Sequence, residues 1–204
     1  MSEKISLRNR FIQTILKVEV MTWLYDSHIH LSDPDYECDL NYIIKGMENT
    51  KIKACCVSMD NMTSKRTLDL GVKSKLILPF IGIHPERAND DLELMIDLIS
   101  ENQQHISGIG EIGLDPTYVK SSTDNKRQLY IFETLLSLAE KFQKPISIHS
   151  RKSLDEIFSI MTSYKTQNAL LHWFDGSKKQ LQKAMDMDFF VSYGPVMIYA
   201  NDKQ

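Results

Sequence analysis

Short apolar runs alternate with amphipathic stretches along most of this chain. The runs cover residues 24–31, 52–59, 76–83, 106–114, 145–149, 169–174 and 189–196. Each reads as a buried strand, being brief, rich in Ile, Leu and Val, and bounded by polar or turn residues. Between them lie 39–50, 62–75, 90–103, 125–143, 153–164 and 178–187, which read as helices. The clearest is 125–143, where Leu129, Phe132, Leu135, Leu136, Ala139 and Phe142 recur at three and four residues and form one apolar face. Ser153 and Ser177 stand where helix N-caps are expected, and Pro145 opens its strand, where a missing N–H does little harm.

Strands alternating with helices predict β-α-β units and a parallel sheet, hence an α/β fold. No Gly-rich dinucleotide loop follows the first strand, so a nucleotide-cofactor sheet loses ground. The ionisable residues gather at the carboxyl ends of several strands, where a (β/α)8 TIM-type barrel keeps its site. The expectation is such a barrel with seven parallel strands, lacking its last βα unit, because a full barrel typically takes ~250 residues and this chain has 204. Residues 21–204 form that incomplete barrel. Residues 1–20, with Phe11, Ile12, Ile15 and Leu16 at helical spacing, form a separate extension, helical or not native, with Met21 as a second candidate start.

Composition narrows the class. Hydrophobic residues at 42% and a net charge of −3 suit a globular chain and exclude a disordered one. No apolar stretch is long enough to span a bilayer, and a secretory leader is not expected. Three cysteines (Cys38, Cys55 and Cys56) argue against a disulfide framework and for a reducing cytoplasm. Mild acidity gives no broad pull on duplex nucleic acid, so any polyanion site must be local.

The histidines carry the candidate chemistry. His28 and His30 form an H-x-H pair, and residues two apart on a strand face one side, so both rings can meet one metal. His84 ends the third strand, Glu111 lies in the fourth, His149 ends the fifth and His172 lies in the sixth. Each alone is weak; a lone strand histidine is more often a hydrogen-bonded core or surface residue. Together, four imidazoles and a carboxylate make a binuclear ligand set, and a buried Glu in a barrel is costly unless paired or metal-bound.

The segments DSHIHL, IGIHPE, GEIGLD, PISIHSR and LLHWFDGS resemble the successive motifs of the TatD family of metal-dependent deoxyribonucleases, over residues 24–197. Gln128, Phe132 and Ala139 in the long helix, and FFVSYGPVM, fit the same family. The resemblance implies two divalent metal ions: Mg, Mn, Zn or Co. It assigns His28 and His30 to one ion, Glu111 as the bridge, and His149 and His172 to the second. Glu111 and His84 are the implied catalytic residues, with His84 and Arg151 on the substrate phosphate. Asp26 is expected to orient a ligand imidazole. Trp173 is expected to be a core aromatic, with stacking on a base as the alternative. The implied function is hydrolysis of DNA phosphodiester bonds, on single-stranded ends or small phosphodiesters, by a cytoplasmic protein with no membrane contact and no assigned oligomeric state.

One departure accompanies the match. The family carries a final Asp at the end of an eighth strand, and no such segment follows Val196; Asp175 and Asp202 do not substitute. The expectation is therefore weak nuclease activity and a marginal barrel. The rivals are a non-catalytic remnant or split-gene fragment, and a metal-dependent amide or lactone hydrolase.

Overall fold

The computed structural model describes residues 23–166 and 168–194. The expectations about residues 1–20, Val196 and Asp202 lie outside them. Seven strands alternate with six helices in the described residues: β1 (Leu24–Ile29), α1 (Leu40–Thr50), β2 (Ile52–Val57), α2 (Asn61–Lys73), β3 (Ile77–Ile81), α3 (Leu92–Glu101), β4 (Gly108–Leu114), α4 (Ser122–Phe142), β5 (Ile146–Ser150), α5 (Leu154–Met161), β6 (Ala169–His172), α6 (Lys178–Asp186) and β7 (Phe190–Val191). The strands are parallel and neighbour one another in chain order from β1 to β7.

That sheet is curled. His28 on β1 stacks its ring on His172 of β6 at 3.4 Å between centroids. Five inter-strand steps of ~4.8 Å would hold those strands ~24 Å apart in a flat sheet. The contact therefore closes the strands around a common interior, as in a barrel wall.

Sequence chemistry explains the element ends. Ser121 caps α4 by accepting from the Asp124 amide, and Gln143 ends it in a left-handed conformation. Asp60 with Thr63, and Ser177 with Gln180, form reciprocal capping boxes on α2 and α6. Ser153 is a correction: its hydroxyl makes no cap hydrogen bond but donates to the Leu114 carbonyl at 2.7 Å, tying the start of α5 to the end of β4. Observed strands also stop short of several apolar runs. In 52–59 and 76–83, the last residues leave the ladder to enter the loops that carry the site.

The larger apolar core lies between β3–β6 and helices α3–α5, around Ile109, Ile112, Phe132, Leu135, Ile148 and Phe158. A smaller one joins β1–β3 to α1 and α2 through Leu31, Met47, Ala54, Cys56, Leu70 and Ile77. Cys56 faces that outer core while Cys55 faces the interior beside Ser27 and Phe80, the alternation a strand requires. Gly113 has φ +153°, and a Cβ there would sit 2.0 Å from the His149 carbonyl oxygen. Only glycine lets β4 approach β5 so closely, directly beside a candidate ligand. Among the described residues no helix is long and apolar enough to cross a membrane.

Candidate metal centre and its cavity

β4 delivers Glu111 to the centre of the curl. Its side chain is buried, and its residue exposure is only 3%. A carboxylate there is tolerable only with strong partners, and imidazoles surround it. Its Oε2 lies 3.4 Å from His28 Nε2 and 3.3 Å from His30 Nε2, and those two nitrogens are 3.1 Å apart. Its Oε1 lies 3.1 Å from His149 Nδ1 and 3.9 Å from His84 Nε2. The carboxylate thus divides its two oxygens between two sets of rings. Burial favours the neutral acid, but hydrogen bonds from His149, His28 and His30 outweigh it and hold Glu111 well below the usual carboxylate range.

These spacings fit divalent cations. Four ligands at ~2.05 Å in a tetrahedron stand about 3.3 Å from one another. The triangle formed by His28, His30 and Glu111 has sides of 3.1, 3.3 and 3.4 Å, close to one face of such a tetrahedron. Donor atoms of His28, Glu111 and His172 also lie within 4.8 Å of one another, as do those of His84, Glu111 and His149. The resemblance pairs His172 with His149. Their Cα atoms are register partners across β5 and β6, yet the His172 ring leans onto His28. Burial, followed by the neighbouring His28, pushes the His172 pKa down to about 3, so its ring is neutral at pH 7 as a ligand must be.

Surrounding residues fix the rings. Ser147 Oγ lies 3.0 Å from His28 Nδ1, leaving Nε2 for the centre. Asp115 Oδ2 lies 2.9 Å from His149 Nε2, on the opposite edge of the ring from Glu111. Burial opposes the charged form of His149, but Glu111 and then Asp115 prevail and raise its pKa. Neither Ser147 nor Asp115 was singled out from the sequence, although Asp115 closes the GEIGLD segment. Asp26, expected to orient an imidazole, instead accepts from the backbone amide of His28 at 3.0 Å. Its short side chain reaches its own strand more readily than the interior.

His84 is built differently. It precedes Pro85 in a short 3-10 turn (Pro85–Arg87), and its Nδ1 accepts from the Glu86 amide at 3.1 Å. A backbone N–H can only donate, so the neutral ring keeps its proton on Nε2, the atom facing the centre. Burial lowers the pKa to about 4, which preserves that tautomer at pH 7. His84 therefore presents an N–H donor to the centre. Asp115 caps the turn Pro116–Tyr118 in the same manner. Gln128 of α4 clamps both turns, accepting from the Asp115 amide and donating to the Pro85 and Asp115 carbonyls at 3.1–3.2 Å.

The centre opens into a cavity of about 660 Å³, whose wall includes Tyr118, Arg151, Trp173, Phe174 and Asp175. Arg151 is exposed there. Trp173 is a second correction: it is 53% exposed and lies outside both apolar cores, because the following residue, Phe174, takes the buried position.

Known proteins similar to this chain include metal-dependent hydrolases. The chain is 29% identical over 186 residues to the uncharacterized metal-dependent hydrolase YabD of Bacillus subtilis, covering 89% of this chain and 72% of that protein. It is 24% identical over 195 residues to the human deoxyribonuclease TATDN3, covering 89% and 71%. A TatD-family hydrolase from Entamoeba histolytica superposes with a TM-score of 0.74 at 22% identity, covering 84% of this chain and 65% of that one. The Escherichia coli TatD homologue YJJV gives 0.73 at 19% identity, covering 82% and 66%. The chain thus spans about two-thirds of the length of those two solved structures, which establish a TIM-barrel relationship for the curled sheet. The family model described as TatD related DNase matches residues 25–204, nearly the full length, and the chain belongs to that family.

Proposed function

We propose that this chain is a metal-dependent phosphodiesterase acting on DNA ends and small phosphodiesters. The observation that carries the reading is the shared carboxylate of Glu111, one oxygen toward His28 and His30, the other toward His149. Two divalent cations, drawn from Zn, Mn, Co or Mg, would there polarise a scissile phosphate and lower the pKa of a water toward neutrality. His28, His30 and Glu111 would hold the first ion and Glu111 with His149 the second, while His172, which the resemblance assigns to the second ion, lies in this structure with its ring on His28; imidazole-rich donors suit Zn, Mn or Co at least as well as Mg.

The chain's own groups supply the rest. His84 Nε2–H donates to a non-bridging phosphate oxygen, and Arg151 offers a guanidinium to the same anion. Ser147 and Asp115 keep the His28 and His149 rings aimed inward, so little reorganisation is left for the reacting state. A cationic donor beside a neutral N–H donor favours an anionic phosphate over an amide or lactone carbonyl. Glu111 and Asp115 meet the imidazole rings with their carboxylates.

Zinc-, manganese-, cobalt- and magnesium-loaded chain should be assayed on a single-stranded oligonucleotide and on thymidine 5′-(p-nitrophenyl phosphate). Metal-dependent release of product that Glu111→Gln and His149→Ala each reduce by at least about a hundredfold is expected. Hydrolysis unaffected by those changes, or none with any of the four metals, overturns the reading.

A further inference from the structure

Trp173 stands exposed beside the centre. It follows His172 directly at the end of β6, and the two rings lie 5.5 Å apart and 30° from parallel. The indole is thus next to a candidate metal ligand and forms part of the cavity wall. Its backbone adopts φ +46°, a left-handed conformation that bulky residues rarely take and that costs free energy unless the surroundings impose it. The Trp173 amide is held by Ser192 Oγ at 3.3 Å, and the Phe174 amide by the Ser192 carbonyl at 2.8 Å. Phe174, one residue later, is 7% exposed and packs into the larger core. The turn between them buries one aromatic and turns the other outward.

Gly194 backs the indole. A Cβ at Gly194 would lie 2.7 Å from both Cδ2 and Cε2 of Trp173. Glycine here lets the main chain lie against the ring, which supports it without filling the cavity. The ring is still half exposed. A supported, half-exposed indole at the rim of a polar centre is the arrangement by which proteins stack unpaired bases, since every base has a π-face.

Resting on the phosphodiesterase reading, we propose that Trp173 is a stacking shelf for the nucleobase next to the scissile phosphate. It gives the site a preference for nucleotide-bearing diesters over base-free ones. The ligand class is an unpaired nucleobase at a single-stranded end, because a stacked duplex base offers no free face. Trp173 positions substrate and has no part in bond cleavage.

Two measurements test this. The first compares kcat/KM on thymidine 5′-(p-nitrophenyl phosphate) with that on methyl p-nitrophenyl phosphate. Trp173→Leu, which keeps bulk without a π-face, should lower that ratio roughly tenfold, mainly through KM for the thymidine ester. Trp173→Phe should retain most of it. The second uses a Trp23→Phe background, in which Trp173 is the sole tryptophan, loaded with zinc. Thymidine 5′-phosphate should quench its fluorescence with saturation, and deoxyribose 5-phosphate should not. An unchanged ratio in Trp173→Leu, or equal response to both phosphates, overturns the proposal. If the wild-type chain hydrolyses neither ester, the phosphodiesterase reading fails, and the quenching still decides whether the indole binds a base.

Discussion

The two flanks of the centre are built unequally. β4 is buried along its entire length and lies under α4, so Glu111 projects from a wall packed on both faces. β1 is exposed over its first four residues, with Leu24 62% exposed, yet it brings His28 and His30 to the same point. On the β4–β5 side, ligand position comes from dense packing and from Gln128, which clamps the neighbouring turns. On the β1 side it comes from a few specific contacts: Ser147 to His28, the His28–His172 stack, and Glu111 itself. Packing makes one half rigid by default; polar contacts must hold the other in place.

The largest effect expected from this contrast is at Gly113. Gly113→Ala must place a methyl group against the His149 carbonyl at a φ that alanine resists, and should cost about 3 kcal/mol or more in chemical denaturation. A cost below about 1 kcal/mol would mean that β4 and β5 yield easily, and the rigid half would not be rigid.

Cys55 probes the opposite flank. Burial first, then the nearby Asp26 and Cys56, push its thiol from 9.0 up to about 11. The thiolate is the reactive form, so at pH 8 iodoacetamide should label Cys55 about a hundredfold more slowly than an unperturbed cysteine. Its rate, read by mass spectrometry against exposed Cys38, should climb with pH until about 11. Rapid labelling at pH 8 would show β1 parting from β2.

Residues that orient the rings should rank by side. Asp115→Asn and Ser147→Ala should each weaken zinc binding by about 10–100-fold in calorimetry, with Asp115 the larger because it is charged, buried and fixed by Gln128. The reverse order would make the thinly packed flank dominant. The smallest effect belongs to Leu24→Ser, which should change stability by no more than about 0.5 kcal/mol. A larger loss would reveal packing on β1 that its exposure does not show.

Periodicity made the βα alternation readable, because apolar runs and amphipathic stretches reflect burial directly. It was also enough to mark His28, His30, His84, Glu111, His149 and His172 as a group. The ends of the strands were less legible. Residues such as Ser58 and Ile83 are as buried as strand residues, but leave the ladder to enter site-bearing loops. Trp173 and Phe174 look alike as sequence; only the left-handed turn at Trp173 sends one outward and the other into the core.

The sequence by itself therefore determined the class of fold, the candidate ligand residue types and the strand that each lies on or follows. Tertiary structure alone decided which atoms meet. The curl that sets β1 against β6, the sharing of Glu111 between two groups of rings, and the roles of Ser147 and Asp115 all join residues distant along the chain. Local preference encodes where strands form; the partner of a side chain across a closed sheet depends on how every intervening strand packs.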